Sequence, residues 1–484
     1  MSKKQAGGQQ KESKLAVVIM AAGKGTRLKS RRPKVLHQVG GQSLLRHVIA
    51  AASRVVPASD IFTIVGHEAE KVRAAVADTG TQFVEQAEQR GTGHAIQCAL
   101  PAIRKYENIL VLSGDVPLIQ TRTIAQLWRF HQKQGAAMTI LTTTPPDPTG
   151  YGRILRRSPA SPDIDAIVEQ VALRPEQKSL PEINTGIYAF KTSALKAHLA
   201  KLKTNNPASE LYLTDMAGVL RKQGERVVAV QAKDAAEVLG ANTIAELVAL
   251  DATMRMTTAQ RLMAAGVTIY RPETCVIDAE VEVAADAIIE PFVQLLGKTR
   301  VGADTTIRSY SVLENCTVGE QVIIRQSCVL VDSSIASGAD IGPFARMRPG
   351  CEIGENVHIG NFVEVKKSKL HAGVKAGHLA YLGDSEIGAR TNIGAGVITC
   401  NYDGAQKHKT QIGKGVFVGS DSTLVAPVTI EDGSYIGAGS CITKNVPAGS
   451  LAVGRARQIT KEGWADARRA RQSDQALKDG GRSG

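Results

Sequence analysis

The chain has 484 residues, of which 43% are hydrophobic, 22% charged and only 4% aromatic, with 46 glycines and a net charge of +13. That length implies two or more domains, and that balance excludes a disordered or collagen-like chain. The basic residues are interleaved with acids and form no aromatic-interleaved stripe, which argues against a nucleic-acid partner and for small phosphorylated ligands.

The chain opens on MSKKQAGGQQKESK, which is polar and lacks the apolar region of a secretory signal, so residues 1–14 read as an N-terminal extension. The LAVVIMAA that follows is too short to span a bilayer; it reads as a buried strand, and no stable membrane insertion is expected. Seven cysteines, an odd number without a CxxC pair, read as free thiols in a reducing cytosol, so the expected location is cytoplasmic.

From Leu15 to about Gly240, short apolar runs alternate with amphipathic segments. LAVVIM, IFTIVG, ILVLSGD and AMTILTT predict buried parallel strands; SLLRHVIAAASRV, AEKVRAAVA and TIAQLWRFHQKQ predict helices. This alternation predicts a Rossmann-like, doubly wound α/β domain over residues 15–242, with ligands beyond the carboxyl ends of its strands. Residues 243–266 predict a linker helix with Ile244, Leu247, Val248 and Met254 on one face, ended by Gly266.

Over residues 267–460 the period becomes six. Ile277, Val283, Ile289, Leu295, Val301, Ile307 and Leu313 open the series, and Ile412, Val418, Leu424, Ile430, Ile436 and Ile442 close it. A six-residue beat, often with glycine after the aliphatic, marks a parallel β-helix of hexapeptide repeats, with about three repeats to a coil and roughly nine or ten coils. The expected fold class is therefore α/β plus β-solenoid. The beat is lost over 366–386 and 399–411, which predicts two loops leaving the scaffold. Residues 461–484 form a basic tail, expected to be unstructured beyond about residue 470.

The first strand runs into AAGKGTRLKSRRPKVLH. Gly23 and Gly25 let a ligand approach the backbone, and Lys24, Arg27 and Lys34 supply charge, as a phosphate cradle requires. The loop is neither a Walker A loop nor the dinucleotide fingerprint, since Leu28 stands where the third glycine belongs. Asp115, in LSGDVPL, falls at the carboxyl end of an apolar strand, where a carboxylate can hold Mg²⁺ against phosphate oxygens. In EQAEQRGTGHA, Gln86, Gly91 and Thr92 are suited to reading a base edge; the alternative is a plain helix start capped by Thr92.

With GYGRI and EINTG ahead of a hexapeptide solenoid, these motifs resemble the bacterial family of bifunctional N-acetylglucosamine-1-phosphate uridylyltransferases and glucosamine-1-phosphate acetyltransferases, over about residues 15 to 465. The resemblance implies a left-handed β-helix, Mg²⁺ as cofactor, UTP and acetyl-CoA as co-substrates and a homotrimer. It also implies UDP-N-acetylglucosamine as product, feeding peptidoglycan and lipopolysaccharide. Ala21, Ala22, Gly23 and Lys34 would meet the nucleotide, Arg27 the departing phosphates, and Gln86, Gly91 and Thr92 the uracil. Asp115 and Asn242 would bind the metal; Gly152, Glu169 and Asn184 would grip the N-acetylated sugar.

His378 stands in the first break of the beat, beside Tyr381, with Arg348, Lys366 and Asn392 on neighbouring coils. One coil is about three hexapeptides, so residues 348, 366 and 384 are expected to stack, and two cations in register suit a sugar phosphate. Histidine there is suited to taking a proton from an attacking amine. The resemblance assigns the same roles: His378 as base, Arg348 and Lys366 on the phosphate, and Tyr381 and Asn392 on the sugar, with Glu364 expected to orient the imidazole. Ala395, Asn401, Tyr402, Ser420, Ala438 and Arg455 would line the acetyl-CoA groove.

Overall fold

The computed structural model describes residues 15–158, 161–206 and 209–480; the polar extension expected over 1–14 lies outside them. The chain divides into two units, one running to Leu262 and taking in Val276–Val281, the other built from Met263–Cys275 and the chain from Glu282 onward.

The sheet of the first unit orders nine strands among the described residues: β1 (Leu15–Met20), β2 (Ile61–Val65), β3 (Gln82–Glu85), β4 (Asn108–Ser113), β5 (Met138–Thr143), β6 (Arg153–Arg156), β7 (Ile164–Val168), β8 (Ile183–Lys191) and β9 (Val227–Gln231). The main path is β9-β5-β8-β4-β1-β2-β3. β1 sends Ala16 and Val18 into one core and Val17 and Ile19 into the other, which explains a strand apolar at every position. Each buried valine or isoleucine there contributes roughly 1.5–3 kcal/mol by leaving water.

The four strands expected to be parallel, β1, β2, β4 and β5, run in one direction, but the sheet as a whole is mixed. β8 returns between β4 and β5, antiparallel to both. Around β1 the parallel order holds, and the chain leaves β1 on one side through β2 and comes back on the other at β4. That reversal opens a crevice at the carboxyl ends of β1 and β4, where ligands of such sheets bind. Met20 pairs with Ser113, and the Gly114 amide donates to the Met20 carbonyl at 3.0 Å. The loop after β1 and Asp115 therefore share one edge.

The linker helix spans Ile244–Ala264, but its buried stripe differs from the expected one. Leu250, Met254, Thr258 and Leu262 are buried at four-residue steps, while Ile244 and Val248 are exposed, because the helix meets its neighbours, Val39, Leu44 and Leu118, through Leu250 and Met254.

The second unit is a parallel β-helix. On one face the rungs run Ile269, Ile289, Ile307, Ile324, Ile341, Ile359, Ala376, Ile393, Val418, Ile436 and Ala452, each paired in register with the next. The expected loop over 366–386 is not there. Lys369–Leu370, Lys375–His378, Tyr381–Gly383 and Ser385–Ile387 are ordinary strands of the ladder, with Leu370, Ala376, Leu382 and Ile387 facing inward. Two steps of five residues and an alanine in an aliphatic position hide the beat. The second break is an insertion: Ile393 pairs with Val418, and the extra chain leaves after Ile398–Cys400 and rejoins at Thr410–Ile412.

Glycine after the aliphatic also allows neighbouring coils to approach closely. Gly360 follows its aliphatic with no left-handed backbone, but a Cβ there would stand 1.8 Å from the Gly377 carbonyl oxygen on the next coil. The corner three residues past each rung from Ile289 to Ile436 is turned at positive φ by Phe292, Tyr310, Ser327, Phe344, Phe362 and Leu379, then by Gly396, Asp421 and Gly439. The tail also differs from expectation. Trp464–Gly480 is helical, as its alanines, arginines and glutamine favour, and its residues are exposed through Leu477.

Candidate active sites

In the first unit, a cavity of about 490 Å³ lies at the carboxyl ends of β1 and β4. Ala22, Gly23, Lys34, Gln86, Gly91, Thr92 and Asp115 line it, together with Lys24 and Glu210. Ala21 sits behind it, buried, its amide donating to Ile64 at 2.9 Å. Lys34 pairs with Asp115 and donates to Asn242 Oδ1 at 3.0 Å, and Arg27 donates to the same oxygen at 2.7 Å. Thus the carboxylate and the amide oxygen already converge on one cation. Both are hard oxygen donors, the kind a divalent cation takes one or two of when phosphates supply the rest, so the residues fit such an ion.

Gly91 precedes the helix Thr92–Ile103 at φ 100°, and a Cβ there would stand 2.6 Å from the Leu211 carbonyl, so only glycine brings the chain this close. Gln86 is buried and donates to the Gly91 carbonyl at 3.0 Å, leaving Oε1 to accept. The Thr92 hydroxyl accepts from the Leu213 amide at 2.9 Å and keeps its own proton to donate.

Gly152, Glu169 and Asn184 form a second cluster beside it. The Asn184 amide donates to the Gly152 carbonyl at 2.9 Å, and a Cβ on Gly152 would meet the Val168 carbonyl at 3.2 Å and Glu169 Oε2 at 3.5 Å. Thr214 donates to Glu169 at 2.9 Å, but burial still pushes that carboxyl up. Asn184 Nδ2 donates to the Tyr188 hydroxyl at 2.8 Å. Tyr151 connects the clusters: burial, then the charges of Glu246 and Asp115, raise its phenol to about 12.

In the β-helix, His378 closes the strand Lys375–His378 and pairs in register with Asn361. Asn361 Oδ1 accepts from the imidazole Nδ1 at 2.8 Å. An amide oxygen only accepts, so Nδ1 carries the proton and Nε2 presents its lone pair to solvent. Glu364 does not orient the ring; it pairs with Arg348 at 3.2 Å.

The adjoining face carries Arg348, Lys366 and Tyr381. The Arg348 amide donates to Val365, which puts Arg348 and Lys366 at matching ends of consecutive strands. Lys366 faces Gly383 and not residue 384, because that coil is one residue short. The Tyr381 ring lies over Gly383, where a Cβ would meet the phenolic oxygen at 2.5 Å. Asn392 is not on this face; it pairs with Lys375 and Phe417 on the His378 side.

Ala395, Ser420 and Ala438 each stand two residues past a rung, as His378 does past Ala376, so the four form one column along the edge. The Asp421 amide donates to Ala395 and the Gly439 amide to Ser420, both at 2.8 Å. Arg455 reaches that edge above, within 3.9 Å of a Cβ built on Gly439. Asn401 donates to Asp384 and Tyr402 bridges to Lys407 within the insertion.

Two residues escape the sequence reading. Asn361 is one 17-residue coil before His378, a signal that coil arithmetic contains. Lys407 lies in the insertion, and contact with the Lys366 ammonium pushes it below the ordinary lysine value.

Over residues 17–176 the chain matches the MobA-like NTP transferase domain, and over 332–367 and 409–444 the bacterial transferase hexapeptide (six repeats), which identifies the β-helix as the left-handed hexapeptide kind. The unmatched stretch between them holds the five-residue steps and the insertion. The chain is 58% identical to the "Bifunctional protein GlmU" of Koribacter versatilis over 95% of its own length and 98% of the relative's. Proteins of the same name from Solibacter usitatus and Stutzerimonas stutzeri are 48% and 47% identical, over 94% and 93% of this chain and 97% and 98% of theirs.

Proposed function

Because the chain belongs to the bifunctional GlmU family, we propose that its two transfers are carried out at the two sites described above, one in each unit. The enzyme makes UDP-N-acetylglucosamine, a precursor for the cell wall. It acetylates glucosamine 1-phosphate with acetyl-CoA, then transfers UMP from UTP to N-acetylglucosamine 1-phosphate and releases pyrophosphate.

In acetyl transfer, the 2-amino nitrogen attacks the thioester carbonyl as His378 Nε2 takes its proton. The carbon–sulfur bond breaks, and the thiolate of coenzyme A leaves and is protonated in turn. The observation that carries this reading is the hydrogen bond from Nδ1 to Asn361, which leaves Nε2 as the basic nitrogen. Arg348, Lys366 and Lys407 hold the phosphate, Tyr381 and Asn392 the sugar, and the column from Ala395 to Ala438, with Asn401, Tyr402 and Arg455, the coenzyme.

In uridylyl transfer, a phosphate oxygen of the sugar attacks the α-phosphorus of UTP in line, and the bond to the bridging oxygen breaks. Arg27 and Lys34 hold the departing pyrophosphate; Gln86 Oε1 and the Thr92 hydroxyl read the uracil; Gly152, Glu169 and Asn184 hold the sugar. The family uses a divalent metal, and Asp115 with Asn242 suits magnesium, which neutralises charge on the phosphates when bound.

The assembly is a homotrimer. Phe292, Tyr310, Phe344, Phe362 and Leu379 leave between 44% and 61% of their surface exposed along one edge, and the Phe344 and Phe362 rings stack at 5.3 Å. Bulky residues at positive φ, exposed along an edge that only Ser327 interrupts, support an edge covered by another copy. Leu379 follows His378, so a partner seated there would reach the base. The enzyme acts in the cytoplasm: seven free thiols support this, and among the described residues no helix is long and apolar enough to cross a membrane.

Two assays on the purified chain test the reading. One follows free coenzyme A from acetyl-CoA and glucosamine 1-phosphate, the other pyrophosphate from UTP and N-acetylglucosamine 1-phosphate; both are expected to be positive, and silence in either removes that half. Sedimentation is expected to show a trimer that Phe362→Glu breaks, and a wild-type monomer would exclude it.

A further inference from the structure

Behind the phosphate loop lies a second groove of about 610 Å³, lined by Arg31, Arg32, Arg46 and Lys71 and by no carboxylate. The loop from Lys24 to Lys34 carries six cations and no acid, and the nucleotide cavity uses only Lys24, Arg27 and Lys34. Of the nearby acids, Asp78 takes both terminal nitrogens of Arg46, at 2.8 and 2.6 Å, Glu68 takes Lys71 at 2.7 Å, and Glu280 acts on Arg46 through its charge. Arg31 and Arg32 are exposed, and neither guanidinium has a carboxylate partner among the described residues. Their field is felt locally, since Arg32, after burial, lowers the His37 imidazole.

We infer that this groove is a second anion site, which takes the pyrophosphate released on the other side of the same loop. Adjacent, unpaired guanidinium groups are matched to phosphate oxygens by their fork of donors, and a condensed phosphate offers enough oxygens for both. Gly23, Gly25 and Lys34 face the nucleotide cavity, while Arg31, Arg32 and Pro33 face the groove, so twelve residues of backbone carry both surfaces. An anion on one surface therefore biases the loop that forms the other, and the coupling is reciprocal. The identification of the anion rests on the uridylyl-transfer reading; the existence of the site does not.

The test is calorimetric titration of inorganic pyrophosphate into the full chain, free of divalent metal and saturated with UDP-N-acetylglucosamine. Arg31→Ala/Arg32→Ala is expected to weaken one binding event about tenfold or more. Arg468→Ala/Arg469→Ala, which removes the same charge from the tail helix, is expected to match the wild type. Orthophosphate is expected to bind about tenfold more weakly than pyrophosphate. Unchanged binding in the first variant, an equal loss in the second, or equal affinity for orthophosphate overturns the inference. A chain that shows the groove's binding but releases no pyrophosphate from UTP contradicts the uridylyl reading instead.

Discussion

The two units solve the same problem, holding a phosphorylated sugar beside a second substrate, with opposite means. In the α/β unit the site gathers residues far apart in sequence, and Lys34, Asp115 and Asn242 meet because β1 and β4 are neighbours. In the β-helix the site is built by repetition: Asn361, His378, Ala395, Ser420 and Ala438 are successive steps along one edge. The first arrangement depends on a loop, the second on register. Damage should therefore travel differently in the two.

The sharpest break in register is Gly360→Ala. The new methyl meets the Gly377 backbone, which no rotamer change relieves, so the β-helix should lose about 1–3 kcal/mol, read by thermal unfolding, and acetyl transfer should collapse. Uridylyl transfer should stay near normal. Asn361→Ala is gentler: the fold remains but Nδ1 loses its acceptor, so kcat for acetylation should fall about 10- to 100-fold with the KM for acetyl-CoA little changed. Lys407→Ala should raise the KM for glucosamine 1-phosphate about tenfold and spare kcat, because it removes one of three cations and nothing from the reacting atoms.

The smallest effect separates the units by pH. Burial, with the Lys191 charge second, lowers His131 to about 4 from an ordinary value of 6.5. It is neutral in the fold and takes a proton once unfolded. The first unit should therefore hold its full stability above pH 6.5, lose some as pH falls from 6.5 towards 4, and lose no more from this group below 4. His131→Gln should flatten that slope in a pH series of unfolding curves, leaving the β-helix transition where it was.

Much of this was legible in the sequence, for identifiable reasons. The six-residue beat and the glycine–lysine loop each come from a local constraint that fixes residue types at fixed spacing. The α/β alternation gave β1, β2, β4 and β5, but not β8, since INTGIYAFK mixes polar and apolar residues and its antiparallel return is a tertiary fact. Around His378 the beat was hidden by five-residue steps, which the ladder absorbs at its corners without losing register. Asn361 and Lys407 were missed because each acquires its role from a neighbour one coil away or across the insertion.

The central claim is that the chain holds two independent transfer sites, one in each unit. It is tested most directly by assaying His378→Ala and Asp115→Asn for both half-reactions. His378→Ala should lose acetyl transfer by about 10²- to 10⁴-fold and keep uridylyl transfer. Asp115→Asn should lose uridylyl transfer by about 10²- to 10³-fold and keep acetylation. Full acetyl transfer in His378→Ala, or a loss of both activities in either folded variant, would contradict the account.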